Sequence, residues 1–339
     1  MSKKITSTDV ARLAGVSQTT VSFVLSGKDD KSISPETKAR VIEAAQELGY
    51  QARARKRKKS LTLGLMVPTL SNLYYPFLLQ KVELEAHARG IQVVIMDVHR
   101  DPEREAFYFD FIDRGIVDGI IVLFTPQTKV PKEKPVIVIG EYQEGVLSDT
   151  ISLNSYRAGY MLAEHLIAQG HRNFAYISTP LQNTTNARQY RLDGICDCLR
   201  KNGIENGITV LTGTQESENS DSSYEYDCGF SLTNKLLEES SDVTAIIAVN
   251  DTTAVGCLAA LRRAEQRVPD DFAVAGFDNL LLCQMVEPEL TSVDQMASHA
   301  ACLALDILVH RLTGAEQGEL TVQMQYQPHL IVRDSTKKK

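Results

Sequence analysis

The sequence predicts an α/β protein in two parts: a three-helix head carrying a helix-turn-helix, and a body of two doubly wound parallel-sheet subdomains. Three observations point there. Residues 1–50 hold three short amphipathic patterns separated by glycines and polar turns. From Leu61 onward, short apolar runs alternate with helical patterns and the cycle restarts near Ser155, as parallel sheets covered on both faces require. The charge divides at the same place: residues 1–60 carry 13 Lys/Arg against 6 Asp/Glu, a net +7, whereas residues 61–339 carry 23 against 37, a net −14. A basic head on an acidic body confines attraction for phosphate to one end. With 339 residues, 43% of them hydrophobic and 23% charged, the chain has the size and balance for more than one folded core, not those of a disordered segment.

In the head, Val10, Leu13 and Ala14 give helical spacing before Gly15, and Val21, Val24 and Leu25 give it again afterwards. Gly15 permits the left-handed backbone of a tight corner, and Ser17 stands where an N-cap is wanted. The second helix then carries short polar residues, Gln18, Thr19, Thr20 and Ser22, at the end that such motifs present to base edges in the major groove. A polar loop, residues 26–32, leads to Ser34-Pro35-Glu36-Thr37, which combines an N-cap serine, proline at N1 and an acidic first turn. That third helix runs through Val41, Ile42, Ala45 and Leu48 to Gly49. Residues 51–60 follow as a linker. Arg53, Arg55, Lys56, Arg57, Lys58 and Lys59 make it basic enough to stay extended in the free protein and to contact phosphates when DNA is present.

Residues 61–339 form the body. Strands are predicted at 61–67, 92–97, 119–123, 135–139, 173–178, 208–211, 245–249 and 273–277. Helices are predicted at 75–89, 103–114, 155–169, 188–202, 226–239, 252–263 and 297–313. Ligands of such sheets bind beyond the carboxyl ends of the strands, in the crevice between the two halves.

Catalytic and metal chemistry find no foothold. The six cysteines show one close pair, Cys196-Asp197-Cys198, with no second pair or histidine group at zinc spacing, so they read as reduced thiols. The seven histidines are scattered, and neither a Gly-x-Ser-x-Gly elbow nor a P-loop occurs. No enzyme activity, cofactor or metal is therefore expected. No apolar run approaches the roughly 18 residues of a membrane span, and Met1-Ser2-Lys3-Lys4-Ile5 lacks the apolar stretch of a signal peptide; a cytoplasmic protein without a membrane partner is expected.

A series of ordered motifs carries a resemblance. The head has Asp9-Val10-Ala11, Ala14-Gly15-Val16-Ser17, Thr20-Val21-Ser22 and Leu48-Gly49-Tyr50. The body has Val117-Asp118-Gly119-Ile120-Ile121, Glu164-His165-Leu166, Gly170-His171-Arg172, Ala248-Val249-Asn250-Asp251, Val268-Pro269-Asp270-Asp271, Gly276-Phe277-Asp278-Asn279 and Leu290-Thr291-Ser292-Val293-Asp294-Gln295. Over essentially its whole length the chain resembles the lactose-repressor (LacI/GalR) family of bacterial transcription regulators. The resemblance implies a periplasmic-binding-protein-like effector domain behind the hinge. It implies a homodimer reading a pseudo-palindromic operator in double-stranded DNA, under the control of a small polar effector, a sugar first of all. The expected function is a repressor of a sugar catabolic or uptake operon; the alternative, a sugar-binding protein without a DNA role, has no use for residues 1–50.

Carried over by position, the family's DNA contacts fall on Thr8, Ser17, Gln18, Thr19, Thr20, Ser22 and Phe23, with the basic run behind them. Its effector contacts fall on Ser71, Asn72, Tyr74 and Tyr75 of the first loop, then on Ser155, Arg191, Tyr224, Asn250, Asp251, Asp278 and Gln295, with Asp97 at the end of the second strand. Three departures stand out. Phe23 replaces the usual arginine of the second helix, where it either packs inward or meets a thymine methyl. The hinge lacks the usual Pro-Asn and the leucine that wedges into the minor groove. Ser155-Tyr156 replaces an Asp-Asn pair. Residues 333–339 carry no heptad extension, so a tail-built tetramer is not expected.

Overall fold

Three helices make the head: α1 (Ser7–Ala14), α2 (Gln18–Leu25) and α3 (Pro35–Glu47). The computed structural model describes residues 5–25, 33–50, 60–131, 134–141, 148–181, 186–214, 223–239, 242–314 and 321–337, and divides the chain into two units, Met1–Ser60 and Leu61–Lys339. The local signals read from the sequence act as expected. Gly15 takes φ 63°, ψ 39° at the end of α1, and the Ser17 hydroxyl accepts from Thr20 N at 3.1 Å. Ser34 likewise caps α3, accepting from Thr37 N at 3.2 Å, with Pro35 at the first helical position. Val10, Ala11, Ala14, Val21, Val41, Ala44 and Ala45 form the head's own apolar cluster. Leu13 and Ile42, which share the helical spacing of these residues, are exposed instead. The basic run from Arg53 to Lys59 lies outside the described residues.

The body contains two six-stranded sheets. The first is ordered β11-β5-β4-β3-β1-β2, from strands β1 (Thr62–Val67), β2 (Gln92–Asp97), β3 (Gly119–Val122), β4 (Val136–Gly140), β5 (Asp149–Leu153) and β11 (Gln323–Tyr326), all pairs parallel. Helices α4 (Tyr74–Ala88), α5 (Pro102–Asp113) and α10 (Ala297–Thr313) belong to it. The second is ordered β12-β10-β9-β8-β6-β7, from β6 (Phe174–Ser178), β7 (Ile208–Thr212), β8 (Ala245–Ala248), β9 (Ala273–Phe277), β10 (Thr291–Asp294) and β12 (His329–Ile331). Only its β10–β12 pair is antiparallel. Helices α6 (Ser155–Ala168), α7 (Asn186–Lys201), α8 (Tyr224–Glu238) and α9 (Asp251–Arg263) cover it. Each sheet has an apolar cluster on both faces, which is why its central strands read as continuous hydrophobic runs.

The chain passes between the subdomains three times: from β5 into α6, from β10 into α10, and from β11 into β12. Strands β5, β10, β11 and β12 carry these passages or flank them, and none was expected from hydrophobic pattern. They are short, and β11 is an exposed edge strand rich in glutamine. Two helix pairs meet at glycines. A Cβ on Gly159 would stand 2.0 Å from the Arg191 carbonyl oxygen, and one on Gly194 2.0 Å from that of Tyr156, so α6 and α7 touch backbone to backbone. Gly229 and Gly256 do the same for α8 and α9, with Cβ positions 2.1 Å from the oxygens of Thr253 and Tyr226. All six cysteines are free thiols. Among the described residues no helix is long and apolar enough to cross a membrane.

Candidate functional site

The strands of both sheets point their carboxyl ends at one cavity between the subdomains, with about 680 Å³ of empty space counting the part open to solvent. From the first subdomain come Asn72, Tyr74 and Tyr75 after β1, Arg100 after β2, Leu123, Phe124 and Thr125 after β3, and Glu141 after β4. The second supplies Ser155 at the start of α6, Arg188 and Arg191 on α7, Glu225 on α8, Asn250 after β8, Asp278 after β9 and Gln295 after β10.

Arg191 is its organising cation. It is buried; its Nη1 donates to the Val249 carbonyl, its Nη2 stands 3.4 Å from Asp278 Oδ1, and its guanidinium lies 4.6 Å from the Phe277 ring centroid. Its Nε, although buried, has no hydrogen-bond partner among the described residues. Asp278 also accepts from Gln295 Nε2 at 3.3 Å, and Gln295 Oε1 accepts from Ser155 Oγ at 3.2 Å, so one polar chain runs along the cavity wall. Asp278 has φ 102°, outside the range that side-chain-bearing residues normally adopt. Such strain, held in place by the packing around it, is typical of a ligand-facing position.

Across the cavity, Asn72 Nδ2 donates to Glu225 Oε1 at 2.7 Å and so joins the first loop of one subdomain to a helix of the other. Glu225 Oε2 is buried with no partner among the described residues, and burial raises the carboxyl above its ordinary value. Burial also pushes Glu141 up to about 7, against the lowering influence of Ser155 and Arg191. Burial raises Asp278 as well, despite Arg191.

Of the effector contacts expected from sequence, Asn72, Tyr74, Tyr75, Ser155, Arg191, Asn250, Asp278 and Gln295 are brought together here. Four are placed elsewhere. Ser71 is exposed in a turn with Thr69, their hydroxyls 2.7 Å apart. Asp97 turns back to accept from His99 N at 3.0 Å. Tyr224 donates its hydroxyl to the Thr214 carbonyl at 2.8 Å, and its neighbour Glu225 faces the cavity instead. Asp251 is wholly buried, accepting from Leu280 N at 2.8 Å and Ser292 Oγ at 2.6 Å. Arg100, Glu141, Arg188 and Glu225 were missed. The strand-end rule that selected Asp97 also pointed to Glu141, directly after β4.

Burial first, and then the charge of Asp278, lift the Asp251 carboxyl to about 7. The folded state therefore keeps a proton that the unfolded chain gives up above about pH 4. This stabilisation is complete below that pH and is lost as the pH rises through about 7, and Glu141 acts in the same direction. Thermal melts from about pH 5 to about pH 8 should show a falling Tm. Asp251→Asn, which can accept from Leu280 N and donate to Ser292 Oγ, should flatten that fall; an unchanged slope would refute the assignment.

On the head, Gln18, Thr19, Ser22 and Phe23 are the exposed side chains of α2, while Val21 is buried. Ser17 caps α2 and its hydroxyl meets Thr20 Oγ1 at 2.8 Å; Gln18 Nε2 donates to Ser7 Oγ at 2.9 Å. Thr8 is exposed on the first turn of α1, between the half-buried Ser7 and Asp9.

Comparison with known proteins agrees with both halves. The family model described as "Bacterial regulatory proteins, lacI family" matches residues 6–52, and that of a "Periplasmic binding protein-like domain" matches residues 163–336. The ribose operon repressor of Escherichia coli strain K12 is 32% identical over 342 residues, covering 96% of this chain and 98% of its own. The HTH-type transcriptional repressor PurR of Mannheimia succiniciproducens is 27% identical over 341 residues, covering 97% and 98%. The solved complex of the transcriptional regulator CelR with cellobiose superposes with a TM-score of 0.67 at 27% identity, over 98% of this chain and 100% of that one. The chain belongs to the lacI family of bacterial regulatory proteins.

Proposed function

We propose that this DNA-binding repressor takes a neutral sugar as its effector and controls a sugar catabolic or uptake operon. One observation carries the choice of ligand: Arg100, Arg188 and Arg191 share the cavity with Glu141, Glu225 and Asp278. A sugar hydroxyl donates and accepts at once, so a lining that mixes guanidinium donors with carboxylate acceptors suits a polyol. A phosphorylated ligand would call for guanidiniums that stand alone, whereas here as many carboxyl groups share the cavity with them. The ribose repressor's name supports a sugar of pentose size. In this reading Ser155, Arg191, Asn250, Asp278 and Gln295 hold the ligand from one side, and Asn72, Tyr74, Tyr75 and Glu141 from the other. Binding favours the closed cleft and thereby shifts the head's affinity for its operator. The role is binding, not catalysis, and its place is the cytoplasm, with the DNA. A thermal-shift screen of pentoses, hexoses, sugar phosphates and nucleobases tests the ligand class. A neutral sugar at about 100 times its Kd should add about 2.7 kcal/mol of stability; a response confined to phosphates or nucleobases would overturn it.

The same reading includes a homodimer. Leu73, just before α4, and Phe77 and Leu84 on it are exposed, and Ile95 is exposed on the edge strand β2. Leu281 and Met285, 70% and 75% exposed, project beside the short turn at Leu281–Gln284 in the other subdomain. Exposed apolar groups on both subdomains suit a two-fold interface that a second copy covers. Sedimentation velocity should give a dimer, and the double variant Leu281→Asp/Met285→Asp a monomer with at least tenfold weaker operator binding. A dimer unaffected by the double variant would place the interface elsewhere.

A further inference from the structure

The two readings of Phe23 left open by the sequence are separated by its position. The head's apolar cluster is filled by residues of all three helices, and Phe23 is neither among its buried members nor among the partly buried residues packed against it. Phe23 is instead 40% exposed. With Gln18, Thr19 and Ser22 it follows the spacing i, i+1, i+4, i+5, so the four share one face of α2, opposite the buried Val21. An aromatic ring thus stands among polar base-reading candidates on the surface that enters the groove.

A phenyl ring has no hydrogen-bonding group and gains nothing from the donors and acceptors of a base edge. The one apolar feature of an unmodified major groove is the C5-methyl of thymine. We propose that Phe23 reads a thymine methyl, so that each operator half-site carries a fixed T·A pair under this residue, recognised by apolar contact alone. The proposal rests on the reading of the chain as an operator-binding repressor and specifies what its second helix selects. Replacing the phenyl ring by a guanidinium would transfer the preference toward guanine, whose O6 and N7 accept a bidentate pair.

The experiment starts from operators selected out of random duplexes with the full-length protein. Each thymine of a selected operator is then replaced, one position at a time, by deoxyuridine, which removes the methyl and leaves every hydrogen bond intact. One thymine per half-site should stand out, its loss weakening binding about fourfold, the worth of one buried methyl. At that position 5-methylcytosine should bind better than cytosine, since it restores the methyl on a different base. In Phe23→Ala both differences should vanish, and in Phe23→Leu part of them should persist. Because the ring is exposed and outside the head's core, neither variant should unfold the head, as circular dichroism can confirm. Indifference to deoxyuridine at every thymine would overturn the proposal and would fit a ring wedged into the minor groove, where no methyl is found. Sensitivity that persists in Phe23→Ala would overturn it too, assigning the methyl to another residue. Selection that yields no preferred sequence would reject the operator-binding reading itself, and the proposal with it.

Discussion

Arg191→Ala should abolish the effector's thermal shift and lower the stability of the body by about 3–5 kcal/mol. The two losses share one cause. Arg191 is held in place by the Val249 carbonyl and the Asp278 carboxylate, and its Nε has no partner among the described residues. Without the guanidinium, the effector loses its central donor. Asp278, already raised by burial, is then left as an uncompensated buried acid whose other close partner is Gln295. The double variant Arg191→Ala/Asp278→Ala separates the effects: removing both charges should recover much of the stability and none of the effector response. Urea unfolding gives the first quantity and thermal shift with saturating sugar the second. A full ligand response in Arg191→Ala would show that the cavity binds its guest elsewhere.

Gly159→Ala should be nearly as damaging, although it adds a single methyl group. That methyl would lie 2.0 Å from the Arg191 carbonyl oxygen, and no change of rotamer can relieve a clash with backbone. The helices must separate, and overpacking of this kind costs about 3 kcal/mol or more. Since the obstructed atom belongs to Arg191, effector affinity should fall along with stability. Gly170→Ala is the proper control. Its Cβ would meet nothing within 4 Å, and only its φ of 94° resists the change, so a loss of about 1–2 kcal/mol is expected. Urea midpoints for the two variants decide the matter; equal losses would mean that the α6–α7 contact tolerates the methyl.

What the sequence reveals depends on how local the cause is. The head was legible because its signals are short-range: Ser17 and Ser34 as caps, Pro35 as a helix start, Gly15 as a corner. Strands β1, β3, β4, β6, β8 and β9 were legible because both of their faces are covered. Strand β11 gave no signal: at an exposed edge nothing selects for apolar residues, and its partner β5 lies far away in sequence. The cavity was read in the same way. Arg191 and Asp278 were found through family motifs, whereas Arg188, one turn earlier on the same helix, was not. Tyr224 and Asp251 show the limit of placing residues by position. Each lies next to a cavity residue, Glu225 and Asn250 respectively, and a shift of one position turns a side chain toward or away from a guest.

The three passages of the chain between the subdomains impose an order on its synthesis. The head's apolar cluster, partly buried members included, lies between Val10 and Tyr50, so it can fold soon after it leaves the ribosome. The first sheet of the body opens with Thr62 but waits for Ala297–Thr313 to supply a covering helix and for Gln323–Tyr326 to supply its edge strand. At about 5–20 residues per second, that wait lasts on the order of ten seconds to a minute. Throughout it the cell holds a finished DNA-binding head attached to an unfinished switch. A ribosome that stalls before those last elements would leave a reader of DNA that no effector can instruct.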